Sequence, residues 1–370
     1  MLRILFVILV ALHGLIHLSC FVKAYQPVAI SRFTHEISKP AGLLWLAASL
    51  LFILSALLFL LKRDSWWIAA VAALALSQVL IVLSWHDVKY GTVVNIGILF
   101  VSLTGYGSWQ FNRMTDNEIR AFMQEVKPEE GMLTNEKITC LPPVVRKWLT
   151  RSQVIDKPLI QSVYLTQEGM IRTTPDGRWM PVTAEQRIRT EQPGFIWKAR
   201  VKAAPGLHLA GRDRYVDGRG HMLITLLSLF PVADARGQET NQGSMLRYLA
   251  EIIWAPTAAV NKYLSWEQVD SLTARATMNY GEIKASGLFR FDQNGDVMSF
   301  EAMRYYDRKE GYTLENWYIQ VEPDGYREFE GIRIPARASL TWKLEEGDFT
   351  WFRLEVKEMR YNICQEENPS

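Results

Sequence analysis

Two histidines and one cysteine in an apolar N-terminal segment are the residues whose types and spacing suggest chemistry. In the stretch LVALHGLIHLSCF, His13, His17 and Cys20 lie four and then three residues apart, so a helix would place them on one face. Imidazole and thiolate groups are good ligands for zinc, copper or haem iron, and histidines can also relay protons. The alternative is packing, because a neutral histidine can hydrogen-bond a backbone carbonyl and join helices inside a membrane.

Four uncharged apolar runs in the first third of the chain must position these residues. They cover residues 4–22, 41–61, 66–85 and 93–111, and each is close to the roughly 20 residues that cross a bilayer as a helix. The first run is longer than the apolar part of a signal peptide and no small-x-small cleavage pattern follows it, so we expect an uncleaved helix. The sequence therefore predicts a four-helix transmembrane domain over residues 1–111, with the lipid bilayer as its partner.

Four spans would gather further polar residues at one end of the bundle. The loops and helix ends there supply His35, Glu36, His86, Asp87 and Asn95. Because ionisable groups in membrane spans are costly, they are functional candidates by default. We therefore predict a candidate metal, haem or proton site formed by His13, His17, Cys20 and His86, with packing as the alternative. Its cofactor stays unidentified, since no CxxCH motif or metal-spaced repeat accompanies these residues.

The distribution of lysine and arginine predicts the orientation of the chain. Four spans put the N-terminus and the large C-terminal part on the same side of the membrane, and that side collects slightly more basic residues than the other. The positive-inside rule therefore places the C-terminal part in the cytoplasm, by a small margin.

Composition and motifs argue against several classes of function. The formal charge of +2 and the lack of a basic run argue against nucleic acid as a partner. Cys20, Cys140 and Cys364 are too few for a disulfide framework, and pairing of Cys140 with Cys364 stays open. The sequence contains no GxSxG, HExxH, P-loop or dinucleotide-binding motif, so it does not predict an enzyme.

Strand patterns dominate the chain after a juxtamembrane helix and linker at 112–140. Runs such as FIWKARVKA, KASGLFRF, ASLTWKL and WFRLEVKEMRY alternate apolar and polar residues, as strands with one buried face do. Pairs of Asp or Asn with Gly occur at residues 176–177, 217–218, 294–295 and 324–325, and such pairs favour hairpins. We expect residues 141–370 to form a mainly antiparallel β domain with a curved sheet and a few helices.

One predicted helix, at residues 245–254 with Ser244 as its N-cap, interrupts the strands. It is apolar almost all round except for Arg247 and Glu251, which are spaced i, i+4. It is either a core helix with an exposed ion pair or a lid over the sheet, with Arg247, Glu251 and Trp254 facing a ligand.

Asp234 and Arg236 form a second candidate feature of the β domain. They follow the strongly apolar run at residues 222–232. Paired charges just outside an apolar strand could orient an amphipathic ligand, or they could belong to a solvated turn, because surface ion pairs are common and weak.

Several longer motifs resemble a known family. The segments HEISKPAGLLWLAASLLFILSALLFLL, GRDRYVDGRG, LFPVADARG, LRYLAEIIWAPTA and FEGIRIPARASLTWKL are similar to the bacterial membrane-protein family of domain of unknown function 6544, to which domain of unknown function 6920 is related. The resemblance implies a bacterial protein with a multi-pass N-terminus and a β-rich domain, and no particular activity. The architecture is also similar to the lipoprotein-carrier superfamily, whose members hold acyl chains between a curved sheet and helices.

Three functional hypotheses follow. The first is a membrane-anchored β domain that binds a lipid or another amphipathic ligand in an apolar cavity. The second is a metal, haem or proton site in the transmembrane bundle. The third is a scaffold or sensor with no small-molecule ligand, for which we expect a filled sheet interior and an exposed apolar patch.

Overall fold

A computed structural model describes residues 2–26, 36–126 and 131–363 of the 370-residue chain. His35 and Cys364 lie outside the described residues. The chain divides into two compact units, Met1–Met114 with Leu227–Leu229, and Thr115–Leu226 with Phe230–Ser370. We call the first the helical unit and the second the β unit. The domain boundaries at residues 111 and 140 stay predictions.

The helical unit contains the four predicted apolar helices. The helices up to residue 126 are α1 (Leu2–Tyr25), α2 (Lys39–Leu60), α3 (Trp66–Leu83), the short α4 (Trp85–Val88) and α5 (Gly91–Gln124). All except α4 are long and apolar enough to cross a membrane. This arrangement indicates a multi-pass membrane protein, whereas the side on which the β unit lies stays a prediction.

Helix α5 is longer than the apolar run that predicted it. It continues beyond residue 111 to Gln124 and so includes most of the predicted juxtamembrane helix. The reason is local, because no glycine or proline occurs between Ser108 and Val126 to end the helix. The last residues of α5, from Thr115 onward, belong to the β unit.

Small residues allow the membrane helices to approach closely. A Cβ atom added to Gly14 of α1 would lie 3.0 Å from Phe52 Cβ and 3.2 Å from the Ser49 carbonyl oxygen of α2. Because lipid tails are as apolar as leucine, such helices associate through close packing and not through hydrophobic burial. Large side chains such as Leu50 and Leu57 remain exposed on the outer faces, which suits contact with lipid.

The β unit is built from strands with short connections. Over residues 131–363 they are β1 (Ser162–Ile171), β2 (Met180–Arg189), β3 (Gly194–Ala204), β4 (Leu207–Val216), β5 (Arg219–Leu226), β6 (Phe230–Ala235), β7 (Leu264–Gln268), β8 (Thr273–Tyr280), β9 (Ile283–Phe291), β10 (Val297–Arg308), β11 (Gly311–Val321), β12 (Tyr326–Phe329), β13 (Ile332–Pro335), β14 (Arg337–Leu344) and β15 (Gly347–Tyr361). Two further helices are α6 (Pro143–Arg151) and α7 (Gln238–Glu251).

All strands except β12 and β13 form one antiparallel sheet that curls into a half-barrel. Among the described residues, neighbouring strands across the sheet follow the order β6-β5-β4-β3-β2-β1-β15-β14-β11-β10-β9-β8-β7. The sheet is therefore two meanders joined at the centre, where β15 pairs with β1. The predicted Asp-Gly and Asn-Gly pairs lie between consecutive strands; at Asp217 and Gly218, φ values of 51° and 75° form the two-residue hairpin turn between β4 and β5.

Helix α7 connects the two edge strands of the sheet and packs on β4, β5, β8, β9 and β10. The predicted N-cap at Ser244 is wrong, since the helix begins after Gly237, which has a φ of 112°. Ser244 is instead buried within the helix. The apolar run predicted only the buried part of the helix. The first turns are polar and partly exposed to solvent, so they were not recognised as helical. A short 3-10 turn at Ile252–Trp254 extends the helix to its predicted end.

Candidate functional site

An apolar cavity lies between the sheet and α7. The centres of water molecules can occupy a volume of about 210 Å³ inside it. Roughly 10–15 Å³ of such volume is enough for one water, so the cavity is many times larger than a single-water site. Its lining includes alternate residues of several strands, for example Ala199 and Val201 of β3 and Ala338 and Leu340 of β14. Such spacing is expected, because every second side chain of a strand points to the same face of the sheet.

Four tryptophans are among the residues that line the cavity. Trp197 donates its indole hydrogen to Gln167 Oε1 at 2.9 Å, and Trp254 donates to the Pro335 carbonyl oxygen at 2.9 Å. The indole nitrogens of Trp317 and Trp351 are buried without a partner among the described residues. Each of these side chains combines a large apolar surface with a single polar N–H group.

Arg247 of α7 is the centre of a buried cluster of charges at the cavity. Its Nε donates to Glu251 Oε1 and its Nη1 to Asp213 Oδ2, both at 2.8 Å. All three side chains are 15% exposed or less. Burial opposes the charge of Arg247, but the carboxylates of Glu251 and Asp213 outweigh it and raise the pKa of the arginine. Burial raises the pKa of Glu251, although Arg247 counteracts this.

Polar and aromatic neighbours hold this cluster in position. Gln186 of β2 donates to Glu251 Oε2 at 2.6 Å and accepts from Arg247 Nη2 at 3.3 Å. The guanidinium lies 4.6 Å from the ring centre of Phe195 and 5.0 Å from that of Trp197. The hydrogen bonds and stacking together fix the arginine in one orientation, as a preformed binding site requires.

Arg304 of β10 is a second lining arginine with different surroundings. Its guanidinium lies 4.4 Å from the ring centre of Trp317 and 5.8 Å from that of Trp342. Unlike Arg247, it makes no hydrogen bond or ion pair within the described parts of the chain. Burial lowers its pKa to about 10, with Asp213 counteracting and Arg247 reinforcing the decrease, so the group stays charged at neutral pH.

Asp234 and Arg236 belong to a chain of contacts on the face of the sheet opposite the cavity. Arg212 lies between the lining residues Gly211 and Asp213, so its side chain points to the other face of β4. There it donates from Nη2 to His221 Nδ1 at 3.0 Å, and His221 Nε2 donates to Asp234 Oδ1 at 2.7 Å. Arg236 Nε donates to Asp234 at 3.3 Å. Burial lowers the pKa of His221 despite its bond to Asp234. Neither Asp234 nor Arg236 lines the cavity, so the structure separates them from Arg247, Glu251 and Trp254, which do.

The two bundle histidines form a closed hydrogen-bond network. His17 Nδ1 donates to the His13 carbonyl oxygen at 2.8 Å, which leaves Nε2 of a neutral His17 ring to accept from the Ser77 hydroxyl at 2.7 Å. Asn95 completes the network, since its Nδ2 donates to Ser77 Oγ at 3.0 Å and its Oδ1 accepts from His13 Nε2 at 2.9 Å.

The other two predicted members of this site lie apart from the network. Cys20 is buried in an apolar cluster with Trp45 and Leu80, and His86 is exposed on α4. Within residues 2–26, 36–126 and 131–363, no three His, Cys, Asp or Glu side chains are grouped so that they could hold a metal ion.

Sequence reasoning missed Arg304, Asp213 and Gln186. Each of them interrupts the inward face of a strand at a regular spacing, as Arg304 does after Phe300 and Ala302. A charged or polar residue in phase with the buried residues of a strand was therefore the available signal.

Comparison with solved structures finds loose similarities. A candidate outer membrane lipoprotein-sorting protein domain from Vibrio parahaemolyticus is 12% identical, with a TM-score of 0.32, and the match covers 61% of this chain and 93% of that one. A DUF1329 family protein from Desulfovibrio piger is 10% identical, with a TM-score of 0.31, and the match covers 60% and 92%. A β-barrel-like DUF1849 protein from Brucella abortus is 10% identical, with a TM-score of 0.25, and the match covers 56% and 99%.

Comparison by sequence is more specific. No curated protein matches the chain. The family of unknown function DUF6544, however, matches residues 131–354, which is more than half of the 370 residues and includes the lining of the cavity. The chain therefore belongs to the DUF6544 family.

Proposed function

We propose that the β unit binds a lipid-like, amphipathic molecule in the cavity between its sheet and α7. The observation that carries the proposal is the composition of the lining, which is mostly apolar, with charged side chains around Arg247 and Arg304. An apolar cavity with a few oriented polar groups suits a ligand that has an alkyl chain and a polar head.

The remaining features of the chain support this proposal over the alternatives. A scaffold without a ligand is expected to fill its sheet interior, because empty volume in a core forfeits packing energy. Four helices that could span a membrane would keep the β unit beside a supply of amphipathic molecules. In this proposal the helical unit is an anchor, and the membrane is the source or the destination of the ligand.

Gly211 of β4 offers a direct test, because it lines the cavity. A Cβ atom added there would meet only Trp197, at an ordinary contact distance of 3.7 Å. The variant Gly211→Phe should therefore fold and occupy part of the cavity. The matched control is Ser339→Phe, since Ser339 lies between the lining residues Ala338 and Leu340 and points to the opposite face of β14.

The measurement uses full-length protein in detergent and the ligand 12-bromododecan-1-ol, whose bromine quenches tryptophan fluorescence at short range. We expect saturable quenching from the lining tryptophans in the wild type and in Ser339→Phe, and affinity at least about tenfold weaker in Gly211→Phe. Quenching of the bundle tryptophans by ligand in the micelle is the same in all three proteins and cancels. Equal quenching curves for the three proteins would overturn the proposal.

A further inference from the structure

The charged groups that line the cavity differ in how many of their hydrogen-bond donors are occupied. Arg247 uses Nε, Nη1 and Nη2 on Glu251, Asp213 and Gln186. A guanidinium carries five N–H donors and no acceptor. Three of the five donors of Arg247 are therefore occupied, and its charge is balanced by Asp213 and Glu251, so it offers less to an anion than an arginine without carboxylate partners.

Arg212 points to the opposite face of β4 from its neighbours Gly211 and Asp213, and it contacts protein groups there. It donates from Nη1 to the His221 carbonyl oxygen at 2.8 Å and from Nη2 to His221 Nδ1 at 3.0 Å. Its Nε lies 3.1 Å from Glu118 Oε2, and the side chain is 2% exposed. Arg212 thus serves to hold β4, β5 and the end of α5 together.

Arg304 is the lining arginine whose donors are all unoccupied by the described residues. Its positive charge is offset only at longer range, chiefly by Asp213, which is itself bonded to Arg247. Arg304 lines the cavity, and its nitrogens are not fully buried. A partly buried guanidinium without a protein acceptor gains more from an oxyanion than from a neutral head, because the oxyanion accepts charge-assisted hydrogen bonds.

The surroundings of Arg304 hold its guanidinium in a defined place. Trp317 and Trp342 stack against it, and on the α7 side it abuts Gly243, where an added Cβ atom would lie 3.1 Å from Arg304 Nε. Gly243 therefore provides the space in which the guanidinium fits beneath the helix. A planar guanidinium can donate two parallel N–H bonds to a carboxylate or phosphate.

We propose that the ligand is an anionic amphiphile with a carboxylate or phosphate head, and that Arg304 binds this head while the alkyl chain occupies the apolar part of the cavity. The inference rests on the proposed function, of which it specifies the ligand class. Arg304 is then the residue that determines head-group specificity.

The test compares two ligands with the same chain, 12-bromododecanoate and 12-bromododecan-1-ol, on full-length protein in detergent at pH 8. Binding to the cavity is the part of the tryptophan quenching that Gly211→Phe removes. We expect the wild type to prefer the carboxylate by about tenfold. Arg304→Gln should abolish the preference and leave affinity for the alcohol unchanged, and Arg304→Lys should retain part of it.

The matched control is Arg308→Gln. Arg308 lies on the same strand but is ion-paired with Glu315 and Glu346 and does not line the cavity, so its loss should leave the preference intact. Gly243→Ala should reduce the preference without removing the charge.

The possible outcomes distinguish a failure of the Arg304 assignment from a failure of the proposed function. Equal affinity of the wild type for the two ligands overturns the assignment of Arg304 and leaves amphiphile binding standing, and this result needs no variant to fold. A preference that survives in Arg304→Gln has the same meaning. Quenching that Gly211→Phe does not reduce for either ligand overturns the proposed function itself. Inorganic phosphate that displaces the carboxylate at equal concentration would indicate a site for a free anion and overturn the assignment to an amphiphile.

Discussion

The two units each bury a cluster of polar side chains, and the clusters differ in whether they are closed. In the helical unit, His13, His17, Ser77 and Asn95 bond mainly to one another. In the β unit, the cluster around Arg247 borders a cavity, and Arg304 beside it has donors with no protein acceptor among the described residues.

The difference separates a structural role from a binding role. A closed, satisfied network of neutral groups gains its stability from the protein alone and determines how α1, α3 and α5 pack. Arg304, beside the cluster around Arg247, carries unsatisfied hydrogen-bonding capacity, which a ligand can use. The β unit is therefore the stronger candidate for function, although the histidines attract attention first in the sequence.

The largest expected effect concerns the charge cluster of the β unit. Arg247→Met should leave Asp213 and Glu251 buried without their cation and lower the free energy of unfolding by about 3–5 kcal/mol. Urea denaturation of full-length protein, followed by the fluorescence of the lining tryptophans, measures it. The control is Arg275→Met, which removes an exposed pair with Glu267 and should cost less than about 1 kcal/mol. Similar losses in the two variants would show that the cluster is not buried as a unit.

The histidines extend the comparison, because those of the β unit lie against arginines and those of the bundle against neutral groups. Burial, followed by the charge of Arg200, lowers the pKa of His208 to about 4. In the unfolded chain this pKa is about 6.5, so between pH 7 and pH 5 the unfolded state takes up a proton that the folded state does not. Stability should therefore fall by about 2 kcal/mol as the pH decreases over this window.

The variant His208→Gln isolates this contribution. It cannot take up the proton in either state, so the slope of unfolding free energy against pH from 5 to 7 should decrease by about 1 kcal/mol per pH unit. An unchanged slope would mean that His208 is accessible to protons in the folded state.

Local sequence patterns predicted most of the fold, and long-range pairing was beyond them. Alternating residues and glycine turns identified the meanders, since both depend on neighbours in the chain. The return of β15 to the centre of the sheet joins Val163 to Tyr361, and no local pattern contains that pairing. The start of α7 was misplaced because a polar helical turn resembles a loop in sequence.

The candidate site was predictable only where one element contained several of its residues. Arg247, Glu251 and Trp254 lie on one helical segment, and all three line the cavity. Asp213 and Arg304 come from different meanders, and the curl of the sheet and α7 bring them to one cavity. In the bundle, helical spacing identified His13 and His17, but their partner Ser77 was not predicted, because a serine in an apolar helix carries no signal of its own.

The smallest expected effect tests whether the bundle network is structural. His17→Leu should remove the nearer of the two acceptors of Ser77 and leave Asn95 Oδ1 at 3.3 Å, and it should lower stability by about 1 kcal/mol, since hydrogen bonds between membrane helices are individually weak. Ser77→Ala should cost a similar amount, and the double variant should cost less than the sum, because both substitutions break the same bond. Helix content during titration with sodium dodecyl sulfate measures all three, and exposed His86→Ala is the control. Additive losses would disprove the coupling.

Loss of a bound metal or of an absorption band from the purified His17→Leu protein, with stability unchanged, would instead establish a cofactor site in the bundle.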